Sequence, residues 1–289
     1  MVHKIVIQIL ASMIAVTLSI FAIGALLTEP APSAVNTLSA DFPVESVQIP
    51  APDGSIVHAW LVYGKPTRGV ILLVHPMRSN RLEMLSRARF LKDQGYSVLL
   101  IDLQAHGETA GERITFGLRE SESVEASITF LRKAFPQERI GAIGVSLGAA
   151  AIILTKQDLK LDAIILESLH PTLAEAVDNR LKLHFGRYGS VLLPLILSQL
   201  SFYLDTSLDK LNPITRLNDL NSPLLFISGT QDAHTAQSET ERLYAAARPP
   251  KQIWIIPGAG HFNMHSYAGK EYEQRIIAFL SEYLNRHDE

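Results

Sequence analysis

Residues 139–148 read Arg139-Ile140-Gly141-Ala142-Ile143-Gly144-Val145-Ser146-Leu147-Gly148 and run on into Ala149-Ala150-Ala151-Ile152-Ile153. An apolar run, a tight turn carrying a serine and a second apolar run predict a buried strand, a turn and a helix. A strand-to-helix turn of the form Gly-x-Ser-x-Gly holds its serine in a strained backbone geometry, with the hydroxyl clear of the sheet. Glycine on both flanks removes Cβ atoms that would collide with neighbouring backbone. Such a turn displays a nucleophile, but the pattern is short, and the chain around it has to supply the context.

Upstream, Val70–Val74 is continuously apolar, the sign of a strand buried on both faces, and ends at His75-Pro76-Met77. Leu82, Leu85, Ala88 and Leu91 give helical spacing over Asn80–Asp93, Gly95 caps it, and Ser97–Ile101 returns as a strand. The polar loop Asp102–Gly117 leads into a helix over Leu118–Ala134. Further upstream, Val44–Ile49 and Val57–Tyr63 flank Pro52-Asp53-Gly54-Ser55 as a hairpin. Downstream, the strand Leu161–Leu166 ends in Glu167-Ser168, and residues 170–220 break the alternation as an inserted cap with an apolar patch at Val191–Leu204. Strand Leu224–Ser228, helix Ala236–Ala247, strand Gln252–Ile256 and helix Tyr267–Arg286 complete the chain. This order predicts an α/β fold: a mostly parallel, doubly wound sheet with helices on both faces and ligands beyond the carboxy ends of its strands.

The 289 residues, 47% of them hydrophobic, suffice for a large core. A net charge of −3 gives no general electrostatic case for nucleic acid, and the absence of cysteine excludes thiolate catalysis, thiolate metal ligation and disulfides. Ile5–Leu27 is an uncharged stretch of roughly 23 residues, long enough to span a bilayer. It is expected to form an N-terminal transmembrane helix, an uncleaved signal anchor rather than a cleaved signal peptide, with Ala31-Pro32-Ser33-Ala34 or Leu38-Ser39-Ala40 as alternative cleavage sites. Lys4 on its amino side, with Lys65 the next basic residue, predicts a single-pass protein whose main domain is non-cytoplasmic. The expected partition is an anchor over 1–28, a linker over 29–43 and one domain over 44–289.

Three side chains follow the carboxy ends of strands in one sheet. Ser146 follows its strand directly, Asp232 lies in Gly229-Thr230-Gln231-Asp232, and His261 lies in Pro257-Gly258-Ala259-Gly260-His261-Phe262. In the order serine, acid, histidine they can converge: His261 takes the Ser146 proton during attack on a carbonyl, and Asp232 fixes the imidazole tautomer. An oxyanion needs two donors. The amide of Leu147 at the helix start is one, and since Pro76 has no N–H, the amide of Met77 is the other.

Several residues compete with these assignments. Glu167 also ends a strand and is an alternative acid; His234 and His265 are alternatives to His261. His261 and His265 have a metal-like spacing but no His-Glu-x-x-His pattern, so no metal is expected, and no dinucleotide or phosphate loop follows a strand, so no cofactor is expected. His75 and His106 suit loop-stabilising hydrogen bonds. Arg78 and Arg81 are either solvated residues near a helix start or contacts for an anionic substrate. Val191–Leu204 either packs the cap on the core or borders an acyl-binding groove.

The elbow Gly144–Gly148, the loop opening at His75, the segment Asp102–Thr109, Gln231-Asp232 and Gly260-His261-Phe262 resemble the α/β-hydrolase family over about Val44–Leu284. Asp53-Gly54, Gly117-x-x-Glu120 and the N-terminal apolar stretch look, more narrowly, like membrane-anchored hydrolases related to serine aminopeptidases and acyl esterases. In that family the first loop usually reads His-Gly, here His75-Pro76, and Ala105 replaces the first glycine of a Gly-His-Gly. The resemblance implies the α/β-hydrolase fold and a serine hydrolase acting, without a cofactor, on a carboxylic ester, including lipid-like or long-chain acyl esters. A peptidase or amidase and a non-catalytic binding protein of the same fold are the alternatives.

Overall fold

The computed structural model describes residues 2–35, 42–156 and 159–285. Strands β1 (Glu45–Pro50) and β2 (Ile56–Val62) form the predicted hairpin, turned at Asp53-Gly54, where the Asp53 carboxylate accepts from the Ser55 N–H at 2.9 Å. They are followed by β3 (Val70–Val74), β4 (Ser97–Ile101), β5 (Ile140–Val145), β6 (Ala163–Glu167), β7 (Leu224–Gly229) and β8 (Lys251–Ile256). The eight strands lie in the order β8-β7-β6-β5-β3-β4-β2-β1. β1 pairs antiparallel with β2 and β2 with β4, and every other pairing is parallel.

The continuous apolar runs become the inner strands because both faces are covered. In β3, Val70, Leu72 and Val74 belong to one core cluster and Ile71 and Leu73 to the other, as the two-residue pleat requires. Helices α2 (Leu85–Asp93) and α9 (Lys270–Leu284) supply Ala88, Leu91, Tyr272, Ile276 and Leu280 to the second face. Helices α3 (Glu120–Ala134) and α4 (Leu147–Ile153) cover the first. Gly117-x-x-Glu120 is a loop clasp: the Glu120 carboxylate accepts from the N–H groups of Thr115 (2.7 Å) and Gly117 (2.9 Å), and Gly117 takes φ 110°.

Two predicted helices are broken. Asn80–Asp93 opens as a 3-10 turn, Arg81–Met84, because the Asn80 side chain accepts from the Leu82 N–H at 2.9 Å. The closing helix is divided into α8 (Met264–Ala268) and α9 by Gly269 at φ 52°. Between β6 and β7 the expected insertion holds α5 (Leu173–Phe185) and α6 (Leu193–Leu204), and then short 3-10 turns; α7 (Gln237–Ala246) connects β7 to β8.

The amino-terminal stretch forms one helix, α1 (Val2–Thr28), but the expectation of a transmembrane anchor is not met: among the described residues no helix is long and apolar enough to cross a membrane. Its last two turns are committed to the domain. Ile23 and Leu27 pack against the core, Thr28 is buried, and Gly24 lies so close to α6 that a Cβ there would sit 2.5 Å from Gln199 Oε1. Arg78 donates to the Leu26 carbonyl at the helix's negative end. The described part of the predicted linker is also built in. Ala31–Pro32 pairs in parallel with His106–Gly107, and the Ile114 N–H donates to the Thr28 carbonyl at 2.8 Å. The alternative cleavage site at Leu38-Ser39-Ala40 lies outside the described residues.

One buried ionic cluster ties the second face together. Arg87 of α2 meets Glu167, the last residue of β6, at 3.0 and 2.6 Å; the Tyr272 hydroxyl of α9 donates to Glu167 at 2.6 Å; and Arg87 reaches Asn263, the N-cap of α8, at 3.1 Å. Arg87→Leu leaves the Glu167 carboxylate buried without its cation. The expected cost is about 3–5 kcal/mol of unfolding free energy, read by urea denaturation, and a loss below about 1 kcal/mol would contradict this account.

Candidate active site

Ser146 has φ 51° and ψ −109°, the strained turn its flanking glycines predicted. A Cβ on Gly144 would lie 2.6 Å from the Ala149 nitrogen, and one on Gly148 would lie 2.4 Å from the Val74 carbonyl oxygen. The two glycines therefore let β5, α4 and the end of β3 close on the serine. The Ser146 N–H is spent on the Glu167 carbonyl at 2.8 Å, while its hydroxyl makes no hydrogen bond among the described residues and borders a cavity.

Asp232 and His261, in the loops after β7 and β8, meet at the same carboxy edge of the sheet. His261 Nδ1 lies 3.0 and 2.9 Å from the two Asp232 oxygens, which holds the proton on Nδ1 and leaves Nε2 as the acceptor. Asp232 also accepts from the Ser168 hydroxyl at 2.8 Å and from the N–H groups of His234 and Thr235 at 2.9 Å each. Burial acts to raise its pKa, but the His261 bond and charge, with the Thr235 and Ser168 donors, outweigh this and hold it below the ordinary carboxylate range. No hydrogen bond joins Ser146 to His261 among the described residues.

The rival residues have other partners. Glu167 belongs to Arg87 and Tyr272, His265 bonds Glu273 at 3.0 Å, and the His234 ring packs 4.6 Å from that of His261 without touching the carboxylate through its ring nitrogens. Arg81 is neither solvated nor facing a substrate; it is buried against Asp102 and Glu108 and stacked 4.5 Å from the Trp60 ring centre. Among the described residues, no group of three or more histidine, aspartate or glutamate side chains could hold a metal ion.

Met77 and Leu147 both border the Ser146 cavity, and neither backbone N–H has an acceptor among the described residues. The loop carrying Met77 is fixed by His75, whose Nδ1–H donates to the Pro76 carbonyl at 2.7 Å while Nε2 accepts from the Leu103 N–H at 3.1 Å. Burial, then the neighbouring His106, lowers the His75 pKa to about 3, so the ring is neutral, as that double role requires. Ala105 takes φ 60°, adopting the glycine-like conformation that its sequence position suggested.

The cavity, about 240 Å³, is lined by Ile23 and Leu27 of α1, by Met77, Phe116 and Leu147, and by one face of α5 from Leu173 to Phe185. No residue of Val191–Leu204 lines it; of the two readings of that patch the packing one holds, with Ile196 and Leu200 in the core and α6 propping α1, and α1 with α5 makes the wall. Ser168, His170 and Arg180 escaped the sequence reading. Ser168 and His170 follow β6 directly, the same signal that picked out Asp232 and His261 after their strands, whereas nothing local marks Arg180.

The match to the Alpha/beta hydrolase family covers residues 71–275, and the chain belongs to that family. It is 25% identical over 236 residues to the uncharacterized protein YqkD of Bacillus subtilis, covering 80% of this chain and 77% of the relative. It is 28% identical over 258 residues to the uncharacterized protein Rv2307c of Mycobacterium tuberculosis, covering 88% and 84%. The esterase Pf2001 of Pyrococcus furiosus superposes with a TM-score of 0.72 at 22% identity, over 88% of this chain and 99% of that one, a likeness of fold.

His170, lowered to about 3 by burial and then by Arg180, is a second neutral buried ring beside His75. An unfolded chain binds protons at these rings below about pH 6.5 that the folded chain refuses, so stability is full above that pH and falls as pH drops toward 3. Each ring contributes about 1.4 kcal/mol per pH unit. Urea denaturation at pH 7 and pH 4.5 should therefore differ by several kcal/mol, with His170→Phe flattening the dependence. Equal stability at the two pH values would refute it.

Proposed function

We propose that this protein is a serine hydrolase that cleaves a carboxylic ester with an apolar acyl group through an acyl-enzyme intermediate. The observation that carries this reading is the His261–Asp232 pair, at 2.9 Å, on the same sheet edge as a serine held on a strained turn at the wall of an apolar cavity. Ser146 Oγ attacks the ester carbonyl carbon as its proton passes to His261 Nε2, and Asp232 stabilises the imidazolium. The oxyanion receives the N–H groups of Met77 and Leu147. Collapse of the tetrahedral intermediate breaks the carbon–oxygen bond, the alcohol takes the proton from His261, and water repeats the sequence on the acyl-serine.

The ester reading is favoured over an amide by the cavity: Ile23, Leu27, Met77, Phe116, Val177 and Leu181 suit a hydrocarbon chain and supply no acceptor for a peptide amide. Ser146→Ala should keep the fold, lose labelling by a fluorophosphonate probe and lower kcat by about 10⁴-fold or more. Retained labelling removes Ser146 from the mechanism. On a panel of nitrophenyl esters and aminoacyl nitroanilides, kcat/KM should rise with acyl length, and Leu27→Trp should shift the optimum to shorter chains. A preference for the anilides would overturn the ester assignment.

A further inference from the structure

The Ser146 cavity is apolar except around Arg180, His170 and, at its rim, His184. Elsewhere in the molecule a buried guanidinium has its carboxylates: Arg87 has Glu167, and Arg81 has Asp102 and Glu108. Arg180, half-buried at the cavity wall, has none within ion-pair distance among the described residues. Its Nη1 donates to the Ala176 carbonyl of its own helix at 2.8 Å, and it forms no ion pair.

The nearby carboxylates are engaged. Asp232 is saturated by His261, Ser168 and two backbone N–H groups, and Glu239 accepts from Asn179 at 2.8 Å. Burial lowers the Arg180 pKa, with Asp232 and Glu239 opposing, but a guanidinium keeps its proton. His170 gives an independent sign of a missing ligand. It is 7% exposed, lines the same cavity, and makes no side-chain hydrogen bond among the described residues, with Nε2 buried and unpartnered. A charge without a counterion and a polar ring without a partner, on one wall beside a nucleophile, are costly unless a ligand completes them.

We propose that Arg180, assisted by His170, binds an anionic oxygen group of the substrate, so that the ester cleaved at Ser146 is amphipathic: an apolar acyl chain with a carboxylate or phosphate in the same molecule. This rests on the hydrolase reading above and narrows its substrate class. The guanidinium fork suits either oxyacid by paired N–H···O bonds, and His170 donates a further hydrogen bond from whichever ring nitrogen carries the proton.

The test compares matched substrates on the full chain. Nitrophenyl octanoate is set against nitrophenyl hydrogen suberate, which carries a terminal carboxylate, and 1-octanoylglycerol against its 3-phosphate. The anionic member of at least one pair should have a kcat/KM about tenfold or more above its neutral partner, chiefly through KM, and the favoured pair identifies the group as carboxylate or phosphate. Arg180→Gln should bring that ratio to about one, and Arg180→Lys should restore part of it. Because the readout is a ratio within each variant, a general loss of folded protein does not imitate the effect. Ser146-dependent hydrolysis with the neutral ester preferred in both pairs, or with the ratio kept in Arg180→Gln, overturns the anion site and leaves the hydrolase reading standing. Absence of Ser146-dependent hydrolysis on all of these substrates overturns both.

Discussion

The contact between Gly148 and the Val74 carbonyl is the constraint on which the site depends, because a side chain at that glycine would meet backbone at 2.4 Å. It lets α4 start against the end of β3, and Ser146 is then forced to φ 51°. The same closure brings the Leu147 N–H and the loop after β3 to one side of the serine. The position of Ser146, the Leu147 N–H and the loop bearing Met77 are thus consequences of a single close approach, stabilised by the packing of the whole sheet.

The Asp232–His261 pair is organised differently. Asp232 sits in a web of donors from three segments: its own loop, the loop after β6 through Ser168, and the last loop through His261. Each donor favours the charged carboxylate over its burial cost, so the imidazole is oriented by a fixed anion rather than by contacts of its own. The cluster of Arg87, Glu167 and Tyr272 anchors the strand from which Ser168 emerges. A structural ion pair on one face therefore supports a hydrogen bond at the edge of the sheet.

The framework was legible in the sequence because its constraints are local. Short continuous apolar runs bounded by turn residues suit strands covered on both faces, and glycines around a serine between a strand and a helix leave little choice of turn. Asp232 and His261 were legible because both lie in the loops that follow strands. His170 has that same position, yet its meaning depends on where α5 lies, and Arg180 acquires a role only when the inserted helices fold over the serine. Helix α1 was legible only in part. Hydropathy measures a preference to leave water and does not say what supplies the apolar surroundings. Ile23 and Leu27 satisfy it by lining the site and the patch Val191–Leu204 in part by supporting α1, while Ile5, Leu10, Met13 and Ile14 stay exposed.

That placement of α1 alters what the first residues of the chain are for. Ile23 and Leu27 stand in the same wall as Phe116 and Leu181. A shortened protein starting after Thr28 would lose that part of the wall, and the cavity beside Ser146 would open there to solvent.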